Sequence, residues 1–143
     1  MKKGAAEKLS SFLYLDKGDD SCYTDRQEEK SMPFIDCKTA NCLTDAQKES
    51  VKSKLGEAIA LLHKTERYLM VGFADETLYF AGRKLESGAY VSVSLFGSAS
   101  AKDYERMTRA ICDILTSEAG IPADKVYVTY HPVADWGWNG ANF

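Results

Sequence analysis

Two stretches of this sequence follow the same plan, and that repetition limits the fold more than any other feature. In the first, residues 34–38 read as a short strand. Thr44 then opens a helix as N-cap, and Gln47, three positions on, completes a capping box. Val51, Leu55, Ala58, Ile59 and Leu62 follow at helical spacing and mark one buried face. Residues 68–73 are a continuous apolar run, which predicts a strand covered on both faces. Residues 77–80 predict a short strand ended by the Ala81-Gly82 turn.

The order then recurs. Residues 90–96 alternate as a strand, with Val91, Val93 and Leu95 on one face. Ser100 caps a second helix with Asp103 at the capping-box position, and Tyr104, Met107, Ile111, Ile114 and Leu115 form its apolar stripe. Gly120 stops it, Pro122 lies just beyond, and residues 126–130 close the unit as a strand. Phe34 corresponds to Ser92 and Tyr68 to Val126, a repeat of about 57 residues. The expected fold is α/β (α+β): two pseudo-repeated β-α-β units forming a four-stranded mixed sheet with two helices on one face. Leu69, Met70, Val71 and Phe73 put apolar residues on both alternating sets, so the second sheet face needs cover. With no further helices in this part of the chain, other subunits are its expected source.

Composition narrows the function classes. Of 143 residues, 45% are hydrophobic and 27% charged, with net charge −3, which gives no electrostatic case for nucleic acid or an anionic membrane. No apolar run approaches the roughly 20 residues of a membrane-spanning helix. The apolar stretch at residues 12–15, behind the basic start Met1-Lys2-Lys3, is too short for a signal peptide, so a cytoplasmic location is expected. Cys22, Cys37, Cys42 and Cys112 match neither zinc nor thioredoxin spacing, and His63 and His131 lie far apart, so neither a metal nor a cofactor is expected. Residues 1–32 form an extension with little apolar periodicity and a polar run from Lys17 to Ser31, expected to be disordered or locally helical near residues 5–15. The domain proper is residues 33–143.

Within that domain, several motifs occur together. They are Met32-Pro33-Phe34-Ile35, Lys64 between the first helix and second strand, and the run from Ala89 to Gly97. Asp124-Lys125-Val126-Tyr127-Val128, Trp136-Gly137-Trp138-Asn139 and Asn142-Phe143 complete the set. In this order and spacing the chain resembles the macrophage migration inhibitory factor family of the tautomerase superfamily. The resemblance implies a homotrimer whose sheets form a barrel, with each active site between two subunits. It implies a phenylpyruvate-type keto–enol tautomerase acting on a small aromatic 2-keto acid. The alternative it carries is a cytokine-like or host-interaction protein acting through its trimer surface, secreted without a signal peptide.

The resemblance also assigns roles. Pro33 is the general base, which is chemically sensible because a terminal amine titrates about 2 to 3 units below a lysine, and burial or a nearby cation lowers it further. Lys64 would bind the substrate carboxylate and supply that cation. The backbone N–H of Phe96 would meet the substrate carbonyl, and Tyr127 of the adjacent subunit would cover the ring. Thr129 stands where cytokine members carry asparagine, and Trp136 where a smaller apolar residue lines the pocket mouth, so both alter the substrate's surroundings. The family's C-A-L-C segment is replaced by Gly88-Ala89-Tyr90-Val91, and thiol–disulfide activity is not carried over. Arginines of the decarboxylating and dehalogenating relatives have no counterpart near Pro33 or Lys64; Arg67 and Arg83 read as solvated.

Pro33 lies 32 residues inside the sequence, where its nitrogen is a tertiary amide without basicity. Cleavage before Pro33, an extension that blocks catalysis, and translation from Met32 followed by methionine removal are the three ways to reconcile this. The last is the expected one.

Overall fold

The computed structural model describes residues 32–143, so the expectations for the extension, including a local helix near residues 5–15, lie outside the described residues. Thr44 Oγ1 accepts from the Gln47 N–H at 3.1 Å and Gln47 Oε1 from the Thr44 N–H at 2.9 Å. Helix α1 (Asp45–Ala58) therefore starts on a closed capping box. It tightens into a 3-10 turn, Ile59–Leu62, and ends at His63 with φ 62°. Ser100 Oγ accepts from the Asp103 N–H and opens α2 (Ala101–Ala119). The box expected there is only half made, because the Asp103 carboxylate turns to His63 Nε2 at 2.9 Å and Arg106 Nη1 at 3.2 Å. Gly120 ends α2 at φ 68°, a left-handed geometry that glycine adopts without a Cβ penalty.

The strands in chain order are β1 (Pro33–Thr39), β2 (Met70–Asp75), the hairpin β3 (Tyr79–Phe80) with β4 (Arg83–Lys84), β5 (Ala89–Phe96), β6 (Val126–Val133), and the hairpin β7 (Gly137–Trp138) with β8 (Ala141–Asn142). The four-stranded sheet runs β2-β1-β5-β6. The outer pairs are parallel and the central pair antiparallel. This order reads the same from either edge, so an internal two-fold axis relates the two β-α-β units. The helix caps Thr44 and Ser100 set the offset at 56 positions, which relates Asp36 to Ser92, and those two residues are also direct cross-strand partners. The axis passes between them. The expected correspondences of Phe34 to Ser92 and Tyr68 to Val126 are thus each displaced by two residues. The cause in the second case is a 3-10 turn, Glu66–Tyr68, which delays β2 to Met70.

Strict alternation sorts β1 and β5 into two faces. Ile35, Cys37, Val91 and Val93 point to the helices and are essentially inaccessible, packed under Val51, Leu55 and Ile59 of the α1 arm and Met107, Ile111 and Leu115 of α2. Each such aliphatic side chain stabilises the fold by roughly 1.5–3 kcal/mol relative to exposure. Tyr130 ties β6 to α2: it stacks on Tyr104 at 4.5 Å, and its hydroxyl meets Thr108 Oγ1 at 2.8 Å and donates to the Tyr104 carbonyl at 3.0 Å.

The opposite face is mixed in character. Its cross-strand rows are Met70-Phe34-Ser94-His131, Gly72-Asp36-Ser92-Thr129 and Ala74-Lys38-Tyr90-Tyr127. It carries Phe34, Met70, Ala74, Tyr90 and Tyr127 beside Lys38, Asp36, Ser92, Ser94, Thr129 and His131; in β2, Val71 and Phe73 pack toward the core while Met70 is 68% exposed. β2 is an edge strand of this sheet. Among the described residues, no helix is long and apolar enough to cross a membrane.

Candidate active site

A proline at the first position of a strand costs no ladder hydrogen bond, and Pro33 occupies that position in β1, buried. Met32, also buried, continues the strand by one residue: its carbonyl accepts from the Phe96 N–H at 2.9 Å. The donor that the resemblance assigns to a substrate carbonyl is therefore occupied by the carbonyl bonded directly to the Pro33 nitrogen. Lys64 follows the left-handed turn at His63, and its ammonium donates to the carbonyl of the same residue, Phe96, at 2.8 Å. Burial lowers the Lys64 pKa from its ordinary range. Phe96 thus gathers three of the predicted elements, with its N–H at the Met32–Pro33 amide and its C=O at Lys64.

A pocket of about 380 Å³ opens beside Pro33. Trp136 lines it, together with Tyr68, Met70 and Trp138. Lys64 and Phe96 are not part of that lining. Arg67 is: it is exposed, as read, and the Glu66–Tyr68 turn that delays β2 carries it to the pocket. The aromatic wall has further members that sequence reasoning passed over as functional residues. Tyr68 meets Trp138 edge-on at 5.8 Å, Trp138 stacks with Phe143 at 6.3 Å, and Phe143 lies 6.0 Å from Phe96. The β7–β8 hairpin makes this possible by turning Trp138 and Phe143 back on the sheet end, with the Phe143 N–H donating to the Trp136 carbonyl at 3.1 Å. The spaced aromatics at 136, 138 and 143 were the available signal.

Tyr127 and Thr129 are not brought to Pro33 within one chain. Pro33 pairs with Leu95 and, across β5, with Pro132, whereas Tyr127 shares its row with Tyr90 and Lys38. Five residues of strand, on the order of 17 Å, separate the two rows. Tyr127 is 64% exposed and meets Phe80 edge-on at 5.7 Å. Thr129 Oγ1 is held between the Tyr90 hydroxyl at 2.8 Å and His131 Nε2 at 2.9 Å. Cys37 lies in the core, where burial and the neighbouring Asp36 push its thiol up to about 12, so it stays protonated and unreactive at neutral pH. Among the described residues no group of three potential ligands gathers to hold a metal.

The family model for macrophage migration inhibitory factor (MIF) matches residues 32–143. Macrophage migration inhibitory factor of Xenopus laevis is 28% identical over 115 residues, 78% of this chain and 99% of that protein. The crystal structure of Leishmania major MIF2 aligns with a TM-score of 0.74 at 32% identity, covering 78% of this chain and 97% of that one. The homologue from Prochlorococcus marinus aligns with a TM-score of 0.65 at 29% identity, covering 77% of this chain and 98% of that one.

Proposed function

Because the chain belongs to the macrophage migration inhibitory factor family, we propose that it is a keto–enol tautomerase whose general base is Pro33, acting once its nitrogen is a free amine. The observation that carries this reading is the Met32 carbonyl on the Phe96 N–H. That carbonyl marks an acceptor position next to the base, and its removal leaves a backbone donor aimed where a substrate's keto oxygen would sit. The neutral amine takes the proton from the carbon beside the keto group. The electron pair moves into the new C=C bond and onto oxygen, Phe96 N–H steadies that oxygen, and the protonated amine returns the proton to it. Lys64, held at the Phe96 carbonyl, is the cation for the carboxylate of an aryl 2-keto acid such as phenylpyruvate.

In the same reading the protein is a cytoplasmic homotrimer. The exposure of Tyr127 and its distance along the sheet from Pro33 support a role in a neighbour's site rather than its own. A second reading, an interaction protein acting through its trimer surface, is favoured by one observation. In the chain that carries residues 1–32 the Pro33 nitrogen is amidated.

The test follows phenylpyruvate enol formation by absorbance, with wild type, Pro33→Gly and Lys64→Ala, each beginning at residue 33. The described unit has its own core, and the solved relatives consist almost entirely of this unit, so such proteins are complete folding units. Lys64→Ala is expected to lower kcat/KM by about 10- to 100-fold, mostly through KM, from loss of a charge-assisted contact. Turnover indifferent to Pro33 would remove the mechanism. A folded trimer without turnover would favour the interaction reading.

A further inference from the structure

His63 ends the α1 arm in the left-handed region, φ 62° and ψ 33°, a geometry that is strained for a residue with a Cβ and that glycine adopts freely. The backbone holds the far side of this turn loosely. The His63 N–H reaches the Ala60 carbonyl at 2.9 Å, but the Lys64 N–H reaches that of Ile59 at 3.4 Å. What glycine would not supply is the imidazole. Its Nε2 meets Asp103 Oδ2 at 2.9 Å, across 40 positions of sequence. Hydrogen bonding to His63 holds the Asp103 carboxyl below its ordinary range, so the carboxylate accepts and Nε2 carries the proton.

Asp103 is a firm anchor. Its side chain is 14% exposed, its other oxygen accepts from Arg106 Nη1 at 3.2 Å, and its N–H donates to the Ser100 cap of α2. The connection leading into α2 is braced as well: the Gly97 N–H donates to the Val133 carbonyl at 3.0 Å, and the Ala99 N–H to the Tyr104 hydroxyl at 3.0 Å. Phe96, where this connection begins, receives the Lys64 ammonium on its carbonyl at 2.8 Å. Two consecutive residues thus fasten one turn to both ends of a braced segment, residues 96–103. A lysine stem is too flexible to fix the backbone it springs from. The short, planar imidazole is not.

We propose that His63 is a positioning residue, whose bond to Asp103 sets the turn from which Lys64 reaches the Phe96 carbonyl and a substrate carboxylate. This rests on the tautomerase reading for what Lys64 binds. His63 itself touches neither the substrate nor the reacting atoms.

The experiment is calorimetric titration with cinnamate, an aryl carboxylate that does not tautomerise. Proteins beginning at Pro33 are compared at one ionic strength: wild type, His63→Gly, His63→Gln, Asp103→Ala and the double variant of His63→Gly with Asp103→Ala. Unfolding midpoints and phenylpyruvate turnover are measured on the same samples. A largely exposed pair of this kind shifts an equilibrium by about two- to fivefold. His63→Gly is therefore expected to weaken cinnamate binding about two- to fivefold, and to raise KM rather than lower kcat, while the unfolding midpoint stays or rises because the turn is relieved. A residue that only built the turn would move affinity and stability together. His63→Gln, whose amide nitrogen lies as many bonds from Cα as Nε2 does, should restore part of the affinity. Asp103→Ala should weaken binding by the same factor, and the double variant by no more than either single change, the signature of one shared contact. Affinity unchanged in His63→Gly, losses that multiply in the double variant, or no binding of cinnamate by wild type overturns the proposal. Wild type and His63→Gly turning over phenylpyruvate with the same KM would refute the role of His63 and leave the reaction standing. Cinnamate binding that follows His63 in a protein without turnover would uphold the positioning role and refute the reaction.

Discussion

A protein that begins at Pro33 is expected to interconvert the keto and enol forms of phenylpyruvate about 10²–10⁴ times faster than the chain carrying residues 1–32, the usual worth of a positioned general base. Two groups change together when the Met32–Pro33 bond is absent. The nitrogen passes from a tertiary amide, whose lone pair is shared with a carbonyl, to a secondary amine that can accept a proton. The Phe96 N–H loses the Met32 carbonyl, 2.9 Å away, and becomes a donor for the oxygen that gains charge during enolisation. Base and oxyanion donor therefore arise in one event. Activity should fall as pH drops and the amine becomes protonated, because only the neutral amine takes a proton. Parallel assays of the two proteins, with intact mass confirming each first residue, measure the ratio. Equal rates would eliminate Pro33 as the base.

Ile111→Ala is expected to cost about 2–5 kcal/mol of stability, read as a lowered midpoint of urea or thermal unfolding. Ile111 lies on the inner stripe of α2, fully buried in the core beneath the sheet. Removing its three outer carbons forfeits their transfer energy and leaves a cavity whose walls are fixed on both sides, by sheet residues and by the α1 arm. Ile111→Val, which removes one carbon, should cost about 0.5–1.5 kcal/mol. A midpoint unchanged by Ile111→Ala would mean that the helix layer is not packed on the sheet as described.

What could be read from the sequence was local. Thr44 with Gln47 and Ser100 with its following turn announced both helix starts, and Gly120 announced the second helix end. These signals work because a cap is satisfied by residues within four positions of itself. The faces of β1 and β5 were equally legible, since their alternation is strict. Pro33 and Trp136 line one pocket, and the Lys64 side chain donates to the Phe96 backbone carbonyl. The place of Arg67 in the pocket lining was not legible because it depends on the Glu66–Tyr68 turn, which no strong residue preference encodes and which the apolar run at 69–73 disguised as an early strand. Trp138 and Phe143 became part of the aromatic wall only through a hairpin that folds back over the sheet end, a tertiary event. The mixed character of the outer face was hidden for a related reason: β2 alone suggested an apolar surface, while Asp36, Ser92, Thr129 and His131 came from three other segments.

The two-fold axis between Asp36 and Ser92 bears on how many reactive centres a chain can hold. Duplicating a half-molecule ordinarily duplicates its chemistry, and each strand, cap and helix of the first unit does have a twin in the second. The twin of Pro33 is Ala89, an interior residue that follows Gly88 and pairs with Thr39. A polypeptide has one amino terminus, so the amine proposed as the base is an element of the frame that duplication could not copy. The second half instead brings Phe96 and Trp136 to the end of β1, and in a protein beginning at Pro33 an inactivator directed at that amine should saturate at one equivalent per chain.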